Sequence, residues 1–589
     1  MVTWTCHLNM LSPLTHYQPH MNTIELIQKD IKKFIMTCDY LDAEKSIKHY
    51  ESLSLDATSL AWICFWKGVI DNKKGRSIES NHLSEALEKA LDIEDSFLLY
   101  NIFLHLGCTF MLTHPMIGIF FLRESIGIAC TLKSDDLVFY ANCPLATSLY
   151  KAKSYRDHTL SASFGKEAEL LIDSCPTNKI KNDEMQLLYD SSYGIVKQDI
   201  AKLQACAEKA KQMGYKSVSD KALKEIDRIK NLQETVKAKK PETPSTILDI
   251  LEELEYYNQV EISKNRSLNY SLFQNDFGFL PVKGTKEGYI KLFPFTPRFY
   301  YFYRGQSQYY KDCYPSLYRK DMKLESKRYL ERLKLAELQT LIEKYHVYKV
   351  FNSVSRFPYR NGQFFKAKIE TDMMAIAQHY GIKTEMIDIT PSTWVAAFFA
   401  TTYYDNTDQK YHPITEEDKD GVFYELNASD LTFKENIFKI VGMQPFERPT
   451  RQMAMMLKMN EGENFDTYPN VNKRFFRHIK QANLFIYRFM NQSRMIFPNE
   501  LIIDKINAIQ NSKTFSKKAR KNAINQYYKD IDEDIIKGYE QEQQLSFVDY
   551  DIVTINKDED ELIRKRWDQI NLVYAKRILP TIPIIPYQN

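Results

Sequence analysis

From residue 21 to residue 235 apolar residues recur at helical spacing, with charged faces between them, and nothing alternates as a strand does. A chain patterned this way has to build its first part from stacked helices. A loose repeat orders them: Gly68, Gly107 and Ala146 stand 39 residues apart. Each is followed by a second helix carrying small residues: Ala86 and Ala90, then Gly118 and Ser125, then Ala162 and Ala168. Gly194 and Ala205 start a further pair. Small residues on both partners let paired helices pack closely. An irregular helical bundle is the alternative to such a repeat. The apolar run 101–122 is interrupted by His105, His114 and Pro115. It predicts two buried helices joined at Thr113-His114-Pro115, not one membrane span.

The pattern breaks at 237–245, a polar stretch with two prolines, which marks a linker over 236–245. Residues 1–20 form an irregular extension, and Met21 is an alternative start. An amphipathic helix from Thr246 to Tyr257 opens a second domain, 246–510. A charged helical insertion is expected near 320–370, most clearly over 320–350, and a helical extension with a Pro-rich tail over 511–589. The 38 Tyr and 34 Phe fall largely in strand candidates of the second half. The fold class expected is therefore α+β: an all-helical N-terminal module followed by a mixed domain.

A net charge of +3 over 589 residues argues against a general polyanion binder. The basic run Lys517-Lys518-Ala519-Arg520-Lys521 reads as a solvated helix face, so nucleic acid is not the expected partner. The nine cysteines form no Cys-x-x-Cys pair and no zinc-like spacing with histidine, so no metal is expected. They read as buried free thiols in a reducing compartment. With no signal-peptide plan at the start, the expected location is cytoplasmic, without a membrane anchor.

Two stretches carry the candidate chemistry. Phe299-Tyr300-Tyr301-Phe302-Tyr303 reads as a strand that delivers Arg304 and Gly305 at its end. An arginine there offers a planar fork to phosphate or carboxylate, or pairs structurally with Asp388. The glycine allows a turn or a close approach to a ligand. In the second stretch, 378–400, Gln378-His379-Tyr380-Gly381 precedes a short strand from Thr384 to Ile387. Asp388 follows, then a buried helix from Ser392 to about Tyr403. Thr390 is the expected N-cap and Pro391 the first helical residue, leaving backbone N–H groups for an anion. His379 is a base, a hydrogen-bond donor to a ligand, or a local cap. Gln452 orients a ligand or sits polar on an edge strand. Ser392, His379 and Asp388 make a triad on paper, but the Gly-x-Ser-x-Gly elbow is missing.

Tyr303-Arg304-Gly305, Gln378-His379-Tyr380-Gly381 with Thr384, Asp388-Ile389-Thr390 and the Ala396–Ala400 helix together resemble the FRG domain family. Arg448 to Gln452, and Phe497-Pro498 running to Ile509, fit two later family blocks, so the resemblance spans roughly 246–510. Glu385 and Ala454 depart from it, where the family usually has Arg and Gly. The N-terminal half is similar to tetratricopeptide-type hairpins, with a period above the usual ~34. A looser resemblance is to ADP-ribosyltransferases, through Arg304, the Thr390-Ser392-Thr393 turn and the Arg448–Gln452 block. It implies NAD as a substrate held by Arg304, Gly305, Thr390, Ser392 and Gln452, with Glu447, Asp388 and His379 as catalytic residues. The late glutamate of that family is replaced by Gln452, and Glu447 is the nearest acid. Two functions stay open. One is a nucleotide-dependent, NAD-consuming effector with a helical sensor that takes a protein partner, by analogy with bacterial toxin and phage-defence systems. The other is a non-catalytic protein that recognises a ligand or protein.

Overall fold

The computed structural model describes residues 31–575, apart from 36, 54, 75–81, 112, 154–157, 232–244, 265–269, 272–275, 284–286, 352–354, 359–363, 418, 430–436 and 442–445. The expected irregular start, the linker and the Pro-rich tail lie largely or wholly outside these residues. Two compact units are present. The first comprises Met1–Asp276, Thr401–Asp420 and Phe476–Gln492. The second comprises Phe277–Ala400, Gly421–Phe475 and Ser493–Asn589.

Every described element between residues 31 and 231 is helical. The helices start where the sequence supplies caps. Asp56, Asp95, Ser134, Asn182 and Asp199 each accept a first-turn N–H into a side-chain oxygen. Successive helices pair, among them Ala57–Lys73 with His82–Asp92, Ser96–Phe110 with Pro115–Thr131, and Asp183–Lys197 with Ile200–Gln212. The glycines of the loose repeat sit in these contacts. A Cβ on Gly68 would lie 2.6 Å from Leu83, one on Gly107 2.6 Å from Leu122, and one on Gly194 2.6 Å from Leu203. The run 101–122 is two helices meeting at Thr113-His114-Pro115. No described helix is long and apolar enough to cross a membrane.

The helix Ile247–Lys264, expected to open the second domain, packs instead on Pro115–Thr131 and His158–Asp173. Tyr256 and Val260 join the apolar core of the first unit, and buried charges fix the contact. Helix Pro115–Thr131 has no side-chain cap of its own, and Glu252 accepts from the backbone N–H groups of Met116 (3.0 Å) and Ile117 (3.1 Å). Arg123 then joins three helices. It forms a fork with Glu167 at 3.0 and 2.8 Å and donates to Gln259 at 2.8 Å. The first unit also recruits helix Lys480–Phe489, whose Phe485 and Phe489 pack on Phe110 and Phe121.

The second unit is built of small sheets and helices. One three-stranded sheet runs Val471–Arg477, Asp420–Asn427, Tyr301–Gln306; another runs Phe438–Ile440, Met455–Lys458, Met386–Ile389. Tyr303 and Thr390 bridge the two, each backbone N–H donating to the other's carbonyl at 2.7 and 2.9 Å. Their shared core includes Phe293, Phe302, Ile387, Ile389, Tyr424, Met455 and Leu457. Helix Thr393–Thr401 is buried on nearly every side, with Trp394, Ala396, Ala397, Phe398 and Ala400 at 0% exposure. The stretch expected as a charged helical insertion holds helices Glu325–Ile342 and His346–Phe351. Asp420-Gly421 begins the strand Asp420–Asn427.

Two further expectations are corrected. Cys108 and Cys130 are exposed and Cys38 and Cys64 half-buried, so among the described residues full burial applies only to Cys143, Cys175, Cys206 and Cys313. Cys108 and Cys130 lie on packed helices but occupy the outward face. The basic run of helix Lys517–Tyr527 is not simply solvated. Arg520 bonds Glu533 and Glu540 at 2.6 Å each, and Lys517 bonds Asp549 at 2.7 Å.

Candidate functional site

Strand Tyr301–Gln306 carries Arg304 opposite Tyr424. Its neighbours Phe302 and Tyr303 are buried, and Arg304 keeps a side-chain exposure of 16%. Arg304 Nη1 donates to the Asp388 carbonyl oxygen at 2.8 Å and lies 4.0 Å from the Asp388 carboxylate. The Nε of Arg304 is buried and has no hydrogen-bond partner among the described residues. The structural pairing of Arg304 with Asp388 is thus real but incomplete. Part of the guanidinium is left over.

Asp388 is the more open partner, with 43% side-chain exposure. Gln378 fixes it: the amide Nε2 donates to Asp388 Oδ2 at 3.0 Å, while Oε1 accepts from the Thr384 hydroxyl at 2.6 Å. The Thr384 backbone N–H in turn donates to Ser316 Oγ at 3.0 Å. Sequence reasoning passed over Gln378, Thr384 and Ser316 as site residues. The polar cluster at 378–380 was the available signal, and the adjacent histidine drew attention from it.

His379 ends helix Met373–His379, with Nδ1 3.0 Å from Gln452 Oε1. Gln452 Nε2 donates to the Ile496 carbonyl at 3.1 Å, and its own carbonyl accepts from the Thr390 hydroxyl at 2.9 Å. Gln452 is the C-cap of the one-turn helix Glu447–Arg451, not a strand residue. Met453 beside it adopts φ +48°, in the left-handed region, where a side chain costs energy. Burial pushes the His379 pKa below its ordinary value; the charge of Asp388 opposes this and Arg448 reinforces it. Its Nε2 is buried without a partner among the described residues. Arg448 donates to the His379 carbonyl at 3.3 Å and lies over the rings of Tyr380 and Phe497.

Arg304, Asp388, His379 and Gln452 therefore form one linked neighbourhood, with Gln378 and Arg448 at its edges. The other candidates sit differently. A Cβ on Gly305 would lie 1.9 Å from the Ala396 carbonyl oxygen, so the glycine's close approach is to helix Thr393–Thr401. The helix cap is Ser392, whose hydroxyl accepts from the Val395 N–H at 3.2 Å; Thr390, the expected cap, accepts from Ser392 N–H at 3.2 Å. Ser392 and Thr393 are 0% and 1% exposed, so this helix N-terminus is enclosed by protein. Glu447 is ion-paired with Arg451 at 2.7 Å, and its N–H donates to Glu500 at 2.6 Å. Burial raises the Glu500 pKa, and the carboxyl also accepts from the Tyr380 hydroxyl at 2.9 Å. Nothing in the sequence marked Glu500 as a partner.

Glu385, where the FRG pattern usually has arginine, is 6% exposed in its side chain and pairs with Arg332 at 2.6 Å and Lys458 at 3.6 Å. Arg332 comes from the insertion helix Glu325–Ile342, so that helix supplies the cation facing this strand.

An arginine, an aspartate and a glutamine-histidine pair thus gather beside this bridged pair of strands. The family model described as FRG domain matches residues 300–409, and the chain carries that domain. The match includes Arg304-Gly305, Gln378–Gly381, Asp388–Thr390 and the Ala396–Ala400 helix, and stops before Arg448–Gln452. No curated protein and no solved structure matches the chain.

Proposed function

We propose that the FRG domain binds a phosphate-bearing nucleotide such as NAD, with Arg304 as its main anion contact. The observation that carries this reading is that two buried nitrogens of this neighbourhood, Arg304 Nε and His379 Nε2, have no hydrogen-bond partner among the described residues, while the Asp388 carboxylate 4.0 Å from Arg304 Nη1 is part-exposed. A buried polar atom left unpaired costs about 1–3 kcal/mol, so such atoms cluster where something else binds. Arg304 and Arg448 supply positive charge, and Asp388 supplies the acid that an ADP-ribosyltransferase-like or NAD-consuming reaction needs beside the ribose. Glu447 is tied to Arg451, which leaves Asp388 as the better candidate for that role. In this reading the helical unit senses a protein partner and the FRG domain is the effector, in the manner of a phage-defence or toxin protein. A thermal-shift and turnover screen with NAD and nucleoside triphosphates tests it; stabilisation by NAD is expected.

A second reading is recognition without turnover, with a ligand or protein as the bound species. Glu447 favours it, because its engagement with Arg451 removes the late glutamate from the chemistry. Binding of NAD with no product over a long incubation is the outcome that selects it.

A further inference from the structure

The state of His379 can be worked out atom by atom. This deepens the proposed ligand site, and rests on that reading only for the identity of the ligand. We infer that His379 is locked as the Nδ1–H tautomer, and that its Nε2 lone pair accepts a hydrogen bond from an O–H or N–H of the ligand, such as a ribose hydroxyl.

The Ile496 carbonyl oxygen can only accept, and Gln452 Nε2 donates to it at 3.1 Å. Turning the amide over would set two oxygens against each other at that distance, so the orientation of Gln452 is determined. Its Oε1 then faces His379 Nδ1 at 3.0 Å. An amide oxygen only accepts, so Nδ1 carries the hydrogen. A second proton on the ring is disfavoured by burial. The charged groups acting on the ring are Asp388 from strand Met386–Ile389, which favours protonation, and Arg448 from helix Glu447–Arg451, which disfavours it. The ring is therefore neutral at pH 7, and Nε2 is a bare lone pair.

That lone pair is buried and has no partner among the described residues. The nearby carboxylate of Asp388 only accepts when ionised, so it cannot serve. Neither Gln378 Nε2, which donates to Asp388, nor Arg304 Nη1, which donates to the Asp388 carbonyl, bonds to the lone pair. The site thus requires two things of a ligand: an anionic group for Arg304, and a hydrogen-bond donor for His379. A simple carboxylate, which only accepts, meets only the first. A nucleotide or sugar phosphate, with hydroxyls beside its phosphate, meets both. Sequence reasoning left His379 open as base, donor or cap; this geometry selects the acceptor.

The test uses the full chain labelled with [15N]histidine, in long-range 15N–1H correlation spectra at pH 7.5. The signal of His379, one of 12 histidines, is assigned by its loss in His379→Asn, or in His379→Gln if the first variant is unstable. The expected pattern is protonated Nδ1 with unprotonated Nε2. An Nε2–H or imidazolium pattern overturns the inference. Gln452→Glu places a carboxylate against Nδ1 and should move the ring's protonation to higher pH; an unchanged titration contradicts the Gln452 lock. Saturation with NAD should shift the Nε2 resonance, and NAD binding with no such shift also overturns the acceptor role. If NAD fails to bind, the nucleotide reading falls, while the tautomer pattern still decides the state of His379.

Discussion

At the scale of single residues, Gly305 and Arg304 are adjacent in the family motif but do different work. Gly305 lets strand Tyr301–Gln306 lie against helix Thr393–Thr401, and the atom a methyl would strike is a backbone oxygen that cannot turn away. Gly305→Ala should therefore cost about 3 kcal/mol or more, the upper range for overpacking. Loss of soluble protein or a markedly lower Tm checks this, and unchanged Tm contradicts it. Glu447→Gln removes a charge held by Arg451, outside the linked neighbourhood, so it should leave ligand binding within about twofold of wild type. A large loss of affinity on that substitution would return Glu447 to the site. The grouping of Arg304, Asp388, His379 and Gln452 was legible in the sequence because each stands next to an apolar run, although Arg304 and Asp388 lie inside their strands and Gln452 caps a charged helix. The separate placements of Glu447 and Gly305 were not. One depends on a partner four residues along a short helix, the other on a backbone contact with residues 396 and 400.

At the scale of elements, the helices were legible because periodicity and caps are local signals. Which helix joins which unit was not. Helix Ile247–Lys264 follows a linker in sequence, yet it belongs with the first unit through Glu252, an interaction spanning more than a hundred residues. Helix Lys480–Phe489 does so through two phenylalanines. Glu252→Ala leaves the N–H groups of Met116 and Ile117 without their charged acceptor and should cost about 1.5–3 kcal/mol. Chemical denaturation of wild type and variant measures it. The insertion helix makes a similar prediction. Arg332→Met strands Glu385 in a buried setting with only Lys458 at 3.6 Å, and should cost about 3–5 kcal/mol. Arg332→Met combined with Glu385→Met should recover much of that loss, because the charge that then loses its partner, Lys458, is 41% exposed rather than buried. Equal destabilisation by the single and double variants would show that packing, not charge, ties the insertion to this strand.

At the scale of the whole molecule, buried histidines make stability fall in acid. Burial pushes His105 down to about 3 and lowers His379 as well. In the unfolded chain both protonate near pH 6.5. As pH falls below that value the unfolded state takes up protons that the folded state refuses, so stability falls with pH. Each such histidine contributes at most about 1.4 kcal/mol per pH unit. Unfolding measured between pH 7 and pH 4 should show this decline, and His105→Leu should flatten it.

The central claim is that the FRG domain holds a nucleotide through Arg304. A charge-assisted hydrogen bond is worth roughly 1.5–3 kcal/mol, so at ~1.4 kcal/mol per tenfold Arg304→Ala should weaken binding about tenfold to a hundredfold. Arg304→Lys should recover only part, since an ammonium keeps the charge without the fork. The direct measurement is calorimetric titration of NAD into wild type and Arg304→Ala. Saturable binding by wild type and its loss in the variant is the predicted result; no binding by wild type, or equal binding by both, contradicts the account.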